Sequence, residues 1–328
     1  MEQDKDRLHD GFLSLIPKLS EEAHKGQAGK IAVVGGCREY TGAPFFSAMS
    51  ALKARRGWAV GSDIAHVFCT QGAATVVKGY SPELIVHPYL PETEGAEPTE
   101  VDQLVAGAAR SIDAWLGAFD AVVVGPGLGR DEALLRVAAL VMRAAFARNL
   151  PLVVDADGLW LVNRDPDLVR GNRRVVLTPN RVEFGRLAEA LGLNAAAPSA
   201  ARDVAAALGG PLILQKGRAD VVASPNAQVE CDEPGSLRRV GGQGDCLGGC
   251  VAAFLGWIRR GKRDDPADAE SQEPSPYLLA CYGAATIVRR AAKAAYEAKG
   301  RAMGAPDVVD QLGPVVDEMV GDRPRAVL

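Results

Sequence analysis

The sequence predicts an α/β fold, a mostly parallel sheet covered by helices. Short β-branched runs recur along the chain, each followed by Gly, Pro or Asp and then by an Ala- or Leu-rich stretch with helical spacing. Several of those runs are continuously apolar rather than alternating, as strands buried on both faces require. The 328 residues, 48% hydrophobic and 24% charged, have ordinary globular composition, with room for two domains or one large α/β domain at about 150 residues each.

In chain order, Ile31 to Gly35 is an apolar run stopped by two glycines, and the apolar spacing of Ala43 to Lys53 makes the helix behind it. Ile64 to Phe68 and Leu84 to His87 are the next strands. Ala121 to Gly125 carries three valines ended by glycine and precedes the long helix Glu132 to Arg148. Leu152 to Asp155 and Val175 to Leu177 repeat the pattern, the second leading into the helix Arg181 to Leu191. The helix Ala200 to Leu208 comes before strands Leu212 to Gln215 and Val221 to Ala223, and the helices Asp245 to Arg259, Tyr277 to Lys299 and Asp307 to Met319 follow. Pro91 to Glu100, Asn194 to Ser199 and Gly261 to Pro276 read as loops. None is long enough for an interdomain linker, so residues 1–328 are expected to form a single domain with a short N-terminal helical extension.

Composition excludes several function classes. Lys and Arg number 37 against 41 Asp and Glu, a net charge of −4 that rules out a basic nucleic-acid surface as the main business of the chain. No stretch approaches the roughly 18 apolar residues of a membrane span, and Met1 to Asp10 is too charged for a signal peptide. A cytoplasmic protein is expected, with a mitochondrial or plastid matrix left open. The six cysteines are scattered without a CxxC pair, so reduced, buried thiols are expected. Cys246 and Cys250 stand four apart, but all four histidines lie far upstream and no metal-ligand set is expected.

Ligands of open α/β sheets bind at the carboxyl ends of strands, which makes the residues after each strand the candidates. Gly35-Gly36 and Gly125-Pro126-Gly127-Leu128-Gly129 are two such junctions. The second is spaced GxGxG rather than GxGxxG and lacks the acidic residue about 20 positions on, which argues against a Rossmann dinucleotide site. Asp155 and Asp157 follow a third strand. Asn180 and Glu183 follow a fourth, spaced either as a helix-capping box or as an amide and carboxylate that orient water, Mg²⁺ or phosphate. The strongest signal is Gly241-Gly242-Gln243-Gly244-Asp245, three glycines directly before an apolar helix. Free backbone N–H groups and the positive helix end make an anion hole there, with Asp245 placed to take a proton from a hydroxyl. No Lys-Ser/Thr follows, so this is not a Walker A loop. Lys216-Gly217 and Arg238-Arg239 supply positive charge suited to a polyphosphate.

Taken in order, Lys25 to Gly29, Val33 to Gly36, Tyr40 to Pro44, Asp63 to Cys69, Tyr80 to Leu84, Val124 to Asp131, Asp155 to Val162, Leu177 to Leu187, Gln215 to Gly217 and Gly241 to Asp245 closely resemble the ATP-dependent NAD(P)H-hydrate dehydratases, from about Gly11 to the C-terminus. The GGQGD form of the glycine loop is similar to that of the family's eukaryotic branch. The resemblance implies a ribokinase-like three-layer α/β/α sandwich. It implies that ATP phosphorylates the added hydroxyl of the S epimer of hydrated NADH or NADPH, and that loss of phosphate regenerates NAD(P)H, with Asp245 as base. The implied substrate residues are Gly127, Asn180, Arg181, Val182, Glu183, Phe184, Gly185, Arg186 and Asp245. The implied ATP residues are Lys216, Gly217, Arg218, Ala219 and Asp220, then Gly235, Ser236, Leu237, Arg238, Arg239, Val240, Gly241, Gly242, Gln243 and Gly244. Asn180 and Glu183 match an Asn-x-x-Glu motif used near Mg²⁺ and phosphate, which favours that reading over the cap. Mg²⁺ is expected with ATP. The chain departs from the family where Ala54 to Ala59 intervenes between helix and strand, and at Cys246 and Gly248-Gly249, on which nothing catalytic is expected to depend.

Two other readings stand beside this one. A ribokinase-like small-molecule kinase acting on a vitamin-precursor alcohol shares the glycine loop and base but releases a stable phosphate ester, and a silent nucleotide-binding scaffold shares the loop alone. Oligomeric state and the choice between the NADH and NADPH hydrates stay open.

Overall fold

Runs such as Lys30–Val34 and Ala121–Val124 have no polar face to offer water, so they pair in the middle of a sheet and take helices on both sides. The structure, a computed structural model, describes residues 2–16, 29–54, 62–261 and 274–321. Its strands are β1 (Lys30–Val34), β2 (Ile64–Thr70), β3 (Leu84–Leu90), β4 (Ala121–Val124), β5 (Leu152–Val154), β6 (Val175–Leu177), β7 (Leu212–Gln215), β8 (Asp220–Ala223) and β9 (Gln228–Cys231). They form one sheet in the order β3-β2-β1-β4-β5-β6-β7-β8-β9, with β1 to β7 parallel and β8 and β9 antiparallel. The helices are α1 (Glu2–Leu15), α2 (Gly42–Lys53), α3 (Gln71–Tyr80), α4 (Pro98–Leu116), α5 (Glu132–Ala147), α6 (Asp157–Arg164), α7 (Arg181–Ala190), α8 (Ala200–Ala207), α9 (Gln243–Arg260), α10 (Pro276–Lys299) and α11 (Ala305–Val320).

Successive strand residues point to opposite faces, so one strand feeds two cores. Ile31 and Val33 join Phe12, Leu52, Phe254 and Leu278 on one face, beneath α1, α2, α9, α10 and α11. Ala32 and Val34 join Ile112, Leu135, Leu159, Phe184 and Val204 on the other, beneath α4 to α8. The three-layer sandwich expected from the family is present.

The eight predicted strands all form. The structure adds β9 to them, and adds α3, α4 and α6 to the predicted helices. α3 is started by Thr70, whose Oγ1 accepts from the Ala73 N–H at 3.3 Å. α4 begins at Pro98, inside the predicted loop Pro91 to Glu100, because proline fits the first helical turn. α9 begins at Gln243, two residues before the predicted start, which moves Asp245 from the helix mouth into its first turn. Gly249 serves packing: a Cβ there would collide with the Ser47 carbonyl of α2, so α2 and α9 cross with backbones in contact. Lys25 to Ala28 of the first motif, the Arg55 to Ala59 part of the insertion and residues 262–273 lie outside the described residues. No helix among the described residues is long and apolar enough to cross a membrane.

Candidate active site

The chain runs outward from β1 to β3, then returns to place β4 on the other side of β1. That reversal puts the switch point of the sheet, where open α/β folds bind their ligands, at the carboxyl ends of β1 and β4. The Gly36 and Cys37 N–H groups both donate to the Gly127 carbonyl, at 3.1 and 2.9 Å, tying the two glycine loops together. Beside them, Asp157 Oδ2 accepts from the Gly129 N–H at 2.9 Å.

Farther along the sheet, the β5, β6 and β7 exits bring charge together. Asp155 directly follows β5 and is buried. Its Oδ1 accepts from Lys216 Nζ, the residue after β7, at 2.7 Å. Between them the backbone of Lys216 bridges to Asn180, and the Lys216 N–H donates to the Pro179 carbonyl at 2.8 Å. Asn180 and Glu183 form the full capping box of α7. Asn180 Oδ1 accepts from the Val182 and Glu183 N–H groups at 2.9 and 3.0 Å, and Glu183 Oε2 accepts from the Asn180 N–H at 2.8 Å. The cap, the less favoured of the two readings from sequence, does form, using one oxygen of each side chain and leaving the Asn180 amide nitrogen and Glu183 Oε1 outside it.

α9 enters this cluster by its N-terminus. Its cap, Gly242, has φ +96° and no side chain to satisfy the first N–H groups. A Cβ there would lie 2.8 Å from both Phe46 Cδ2 and Ala305 Cβ, so only glycine fits the left-handed turn. The first turn packs over the buried charges: a Cβ at Gly244 would be 3.2 Å from Lys216 Nζ, and one at Gly248 would be 3.7 Å from Asp155 Oδ2.

The electrostatics follow from this crowding. Burial, then the Asp155 charge, pushes Asp245 from an ordinary 3.8 up to about 7, although Lys216 pulls the other way. Burial also raises Glu183, and Lys216 partly offsets it. For Lys216, burial alone would lower the ammonium, but Asp155, with Glu183 and Asp245 behind it, holds it above the usual lysine value. The site therefore holds an ion pair between a buried Asp155 and a partly buried Lys216, and a half-buried carboxyl pushed up to about 7 at the positive end of a helix.

Of the implied residues, Lys216, Gly244, Asp245 and Glu183 converge. Arg181, Val182 and Arg186 are exposed at the start of α7, whereas the Phe184 side chain is buried in the core below. Arg218, Leu237, Arg238 and Arg239 are exposed, and Leu237 is 89% exposed. Val240 packs toward the core, and the Ser236 hydroxyl turns back to donate to the Arg238 carbonyl. Asp220 is buried, and its Oδ1 accepts from the Gly217 N–H at 2.8 Å. Sequence reasoning marks Asp155 only as a strand-end carboxylate and misses its pairing. Its one signal is a charged residue closing an otherwise apolar run.

The sequence profile of NAD(P)H-hydrate dehydratase matches residues 31–313, most of the chain. The chain belongs to the NAD(P)H-hydrate dehydratase family. A Bos taurus protein named ATP-dependent (S)-NAD(P)H-hydrate dehydratase is 46% identical over 305 residues, covering 92% of this chain and 85% of that one. A ribokinase-like superfamily protein from Enterococcus faecalis superposes with a TM-score of 0.71 at 18% identity, over 95% of this chain and 94% of that one. The ADP/ATP-dependent NAD(P)H-hydrate dehydratase of Bacillus subtilis, co-crystallised with ATP/Mg²⁺, gives a TM-score of 0.63 at 19% identity, over 95% and 97%. These two share the fold of this family member.

Proposed function

We propose that the protein is an ATP-dependent dehydratase of hydrated NADH and NADPH, acting on the S epimer and returning NAD(P)H, ADP and phosphate. The observation that carries the mechanism is Asp245, poised near neutrality by burial and Asp155 at the N-terminus of α9. Its carboxylate takes the proton of the hydroxyl added to the nicotinamide ring, and that oxygen attacks the γ-phosphorus of ATP as ADP leaves. Phosphate then departs with the C–O electron pair, and loss of the neighbouring ring proton restores the C5–C6 double bond. ATP thus turns hydroxide, a poor leaving group, into a good one.

In this reading Gly127, the 180–186 segment and Asp245 hold the hydrated nucleotide, and residues 216–220 and 235–244 hold ATP. The glycine turn at Gly242 fits a phosphate, because no side chain caps the start of α9 and the positive end of the helix dipole lies behind it. Mg²⁺ bound with ATP supplies neutralisation of the phosphate charge. It ordinarily takes phosphate oxygens, waters and one or two carboxylates, and Glu183, with one oxygen outside its cap, fits that demand. Among the described residues no three His, Cys, Asp or Glu side chains gather as a metal site of their own. The same reading places the chain in the cytoplasm or an organelle matrix and takes residues 1–328 as one domain, which the continuous nine-stranded sheet supports.

The test mixes purified protein with Mg²⁺, ATP and the separated epimers of hydrated NADH, following reduced-nicotinamide absorbance and phosphate release together. Both signals rising in step, from one epimer and only with ATP, is the expected result. Phosphorylation of a small alcohol to a stable ester, with no return of absorbance, would instead select the kinase reading.

A further inference from the structure

The two segments assigned to ATP are joined by a residue that belongs to neither. Arg289 lies in the second half of α10, its side chain 12% exposed. Its Nε donates to Asp220 Oδ2 at 2.7 Å, and its Nη1 to the Glu233 carbonyl at 3.0 Å. Its Nη2 donates to the carbonyls of Gly217 and Arg218 at 3.1 and 2.8 Å. The other oxygen of Asp220 closes the same turn on the Gly217 N–H. One planar guanidinium thereby fixes the turn after Lys216 to the exit of β9, two residues before Gly235. Its neighbour Arg290 is different in kind, pairing with the Glu233 carboxylate at 3.1 Å.

We propose that Arg289 is a positioning residue for ATP: it sets the separation of the 216–220 turn and the 235–244 loop before the nucleotide arrives. The inference rests on the assignment of those two segments to ATP. A loop already held in its bound shape loses less conformational entropy on binding, so affinity depends on the clip even though Arg289 need not touch ATP. The geometry demands arginine, because three nitrogens of a rigid fork reach four acceptors on two segments. A lysine ammonium is a single point that can keep the Asp220 contact but cannot span both.

The experiment compares the full-length protein with Arg289→Lys and Arg290→Lys. Calorimetry reads the Kd of a non-hydrolysable ATP analogue with Mg²⁺, and steady-state kinetics read the two KM values and kcat. Arg289→Lys is expected to weaken the analogue and raise the KM for ATP roughly ten-fold, the loss expected for charge-assisted hydrogen bonds not remade. Its kcat at saturating ATP and its KM for the hydrated nucleotide should stay near wild type, and Arg290→Lys should keep the wild-type KM for ATP. An Arg289→Lys protein that binds the analogue as wild type does, or that loses both substrates alike in step with its thermal midpoint, overturns the proposal. If Arg289→Lys does not fold, Arg289→Gln, which keeps a donor near Asp220 but loses the charged three-nitrogen fork, must show the same split between substrates. Failure of both to fold makes the clip purely structural and also overturns it. Wild-type protein that binds the analogue but never restores NADH absorbance refutes the dehydratase reading, while the affinity ratio still decides the role of Arg289.

Discussion

Replacing Asp245 by asparagine should abolish turnover and yet make the protein more stable, by an amount that depends on pH. The carboxyl stands at an ordinary 3.8 when the chain is unfolded and at about 7 when folded, pushed up first by burial and then by Asp155. A raised carboxyl pKa means that the folded state holds its proton more tightly than the unfolded state. The associated stability is complete below about pH 4 and is lost as pH rises toward and through 7. At about 1.4 kcal/mol per pH unit, the interval from 3.8 to about 7 corresponds to about 4 kcal/mol lost from the wild-type fold at pH 8. At pH 5 only the first part of that interval has been crossed, so the cost there is roughly a third as large. The asparagine side chain of the variant has no charge to bury at either pH. Thermal unfolding of wild type and Asp245→Asn at pH 5 and pH 8, with ATP-analogue binding as a check on the site, reads this directly. The variant's midpoint should exceed wild type's by several degrees at pH 8 and by clearly less at pH 5, with analogue binding retained. An equal difference at the two pH values, or a variant less stable at pH 8, would refute the argument that this carboxylate is held in its place at the expense of stability.

In the active enzyme, kcat/KM should fall on the acid side with a midpoint near pH 7, and Asp155→Asn should move that midpoint downward by removing the carboxylate that helps raise Asp245. The same change should lower the denaturant midpoint, because Lys216 loses its hydrogen-bonded partner, but by less than a lone buried charge would cost, since Glu183 and Asp245 still face it. Gly242→Ala should weaken ATP-analogue binding and lower the thermal midpoint, since the left-handed φ costs about 1–2 kcal/mol and the new methyl meets Phe46 and Ala305 at 2.8 Å. A thiol reagent should label almost none of the six cysteines in native protein and all six in denaturant. All are buried, and burial pushes Cys69 and Cys246 up to about 12.

What the sequence shows is whatever is local to one segment. Val175–Leu177 and Leu212–Gln215 fall at their predicted bounds because an apolar run bounded by polar or helix-breaking residues is a complete signal. β9 has no such signal. Gln228–Cys231 alternates two exposed polar residues with Val229 and a buried Cys231, and it is a strand only because β8 lies antiparallel beside it. α3 opens with Gln71-Gly72 and carries Thr75, Val76 and Val77, the last three weak helix formers, so packing rather than propensity decides it. In the site, the glycine loop, Lys216 and Asp245 are legible because each is a short motif. The pairing of Asp155 with Lys216 is not. It spans 61 residues of sequence and depends on β5, β6 and β7 lying side by side, an order that only the assembled sheet supplies. Arg289 is hidden in the same way, a charge in an Ala-rich helix whose partner Asp220 lies 69 residues upstream.

The distribution of charge explains why one crevice can suit both a polyphosphate and a base. Three carboxylates, Asp155, Glu183 and Asp245, surround the Lys216 ammonium at the centre, so the interior is short of positive charge, and neutralising Asp245 near pH 7 relieves it. The arginines Arg181, Arg186, Arg218, Arg238 and Arg239 are exposed on the three segments assigned to the ligands, in a chain whose overall charge is −4. A polyanion drawn to those arginines and to the α9 N-terminus therefore meets the carboxylates only at its inner end. There Lys216, locked on Asp155, is a cation whose position is already fixed. A hydroxyl lying between Asp245 and that inner phosphate has its proton acceptor on one side and its electrophile on the other. With the proposed roles, the arrangement favours transfer to the substrate hydroxyl over random hydrolysis, because the proposed base sits on the same helix turn as the proposed phosphate site.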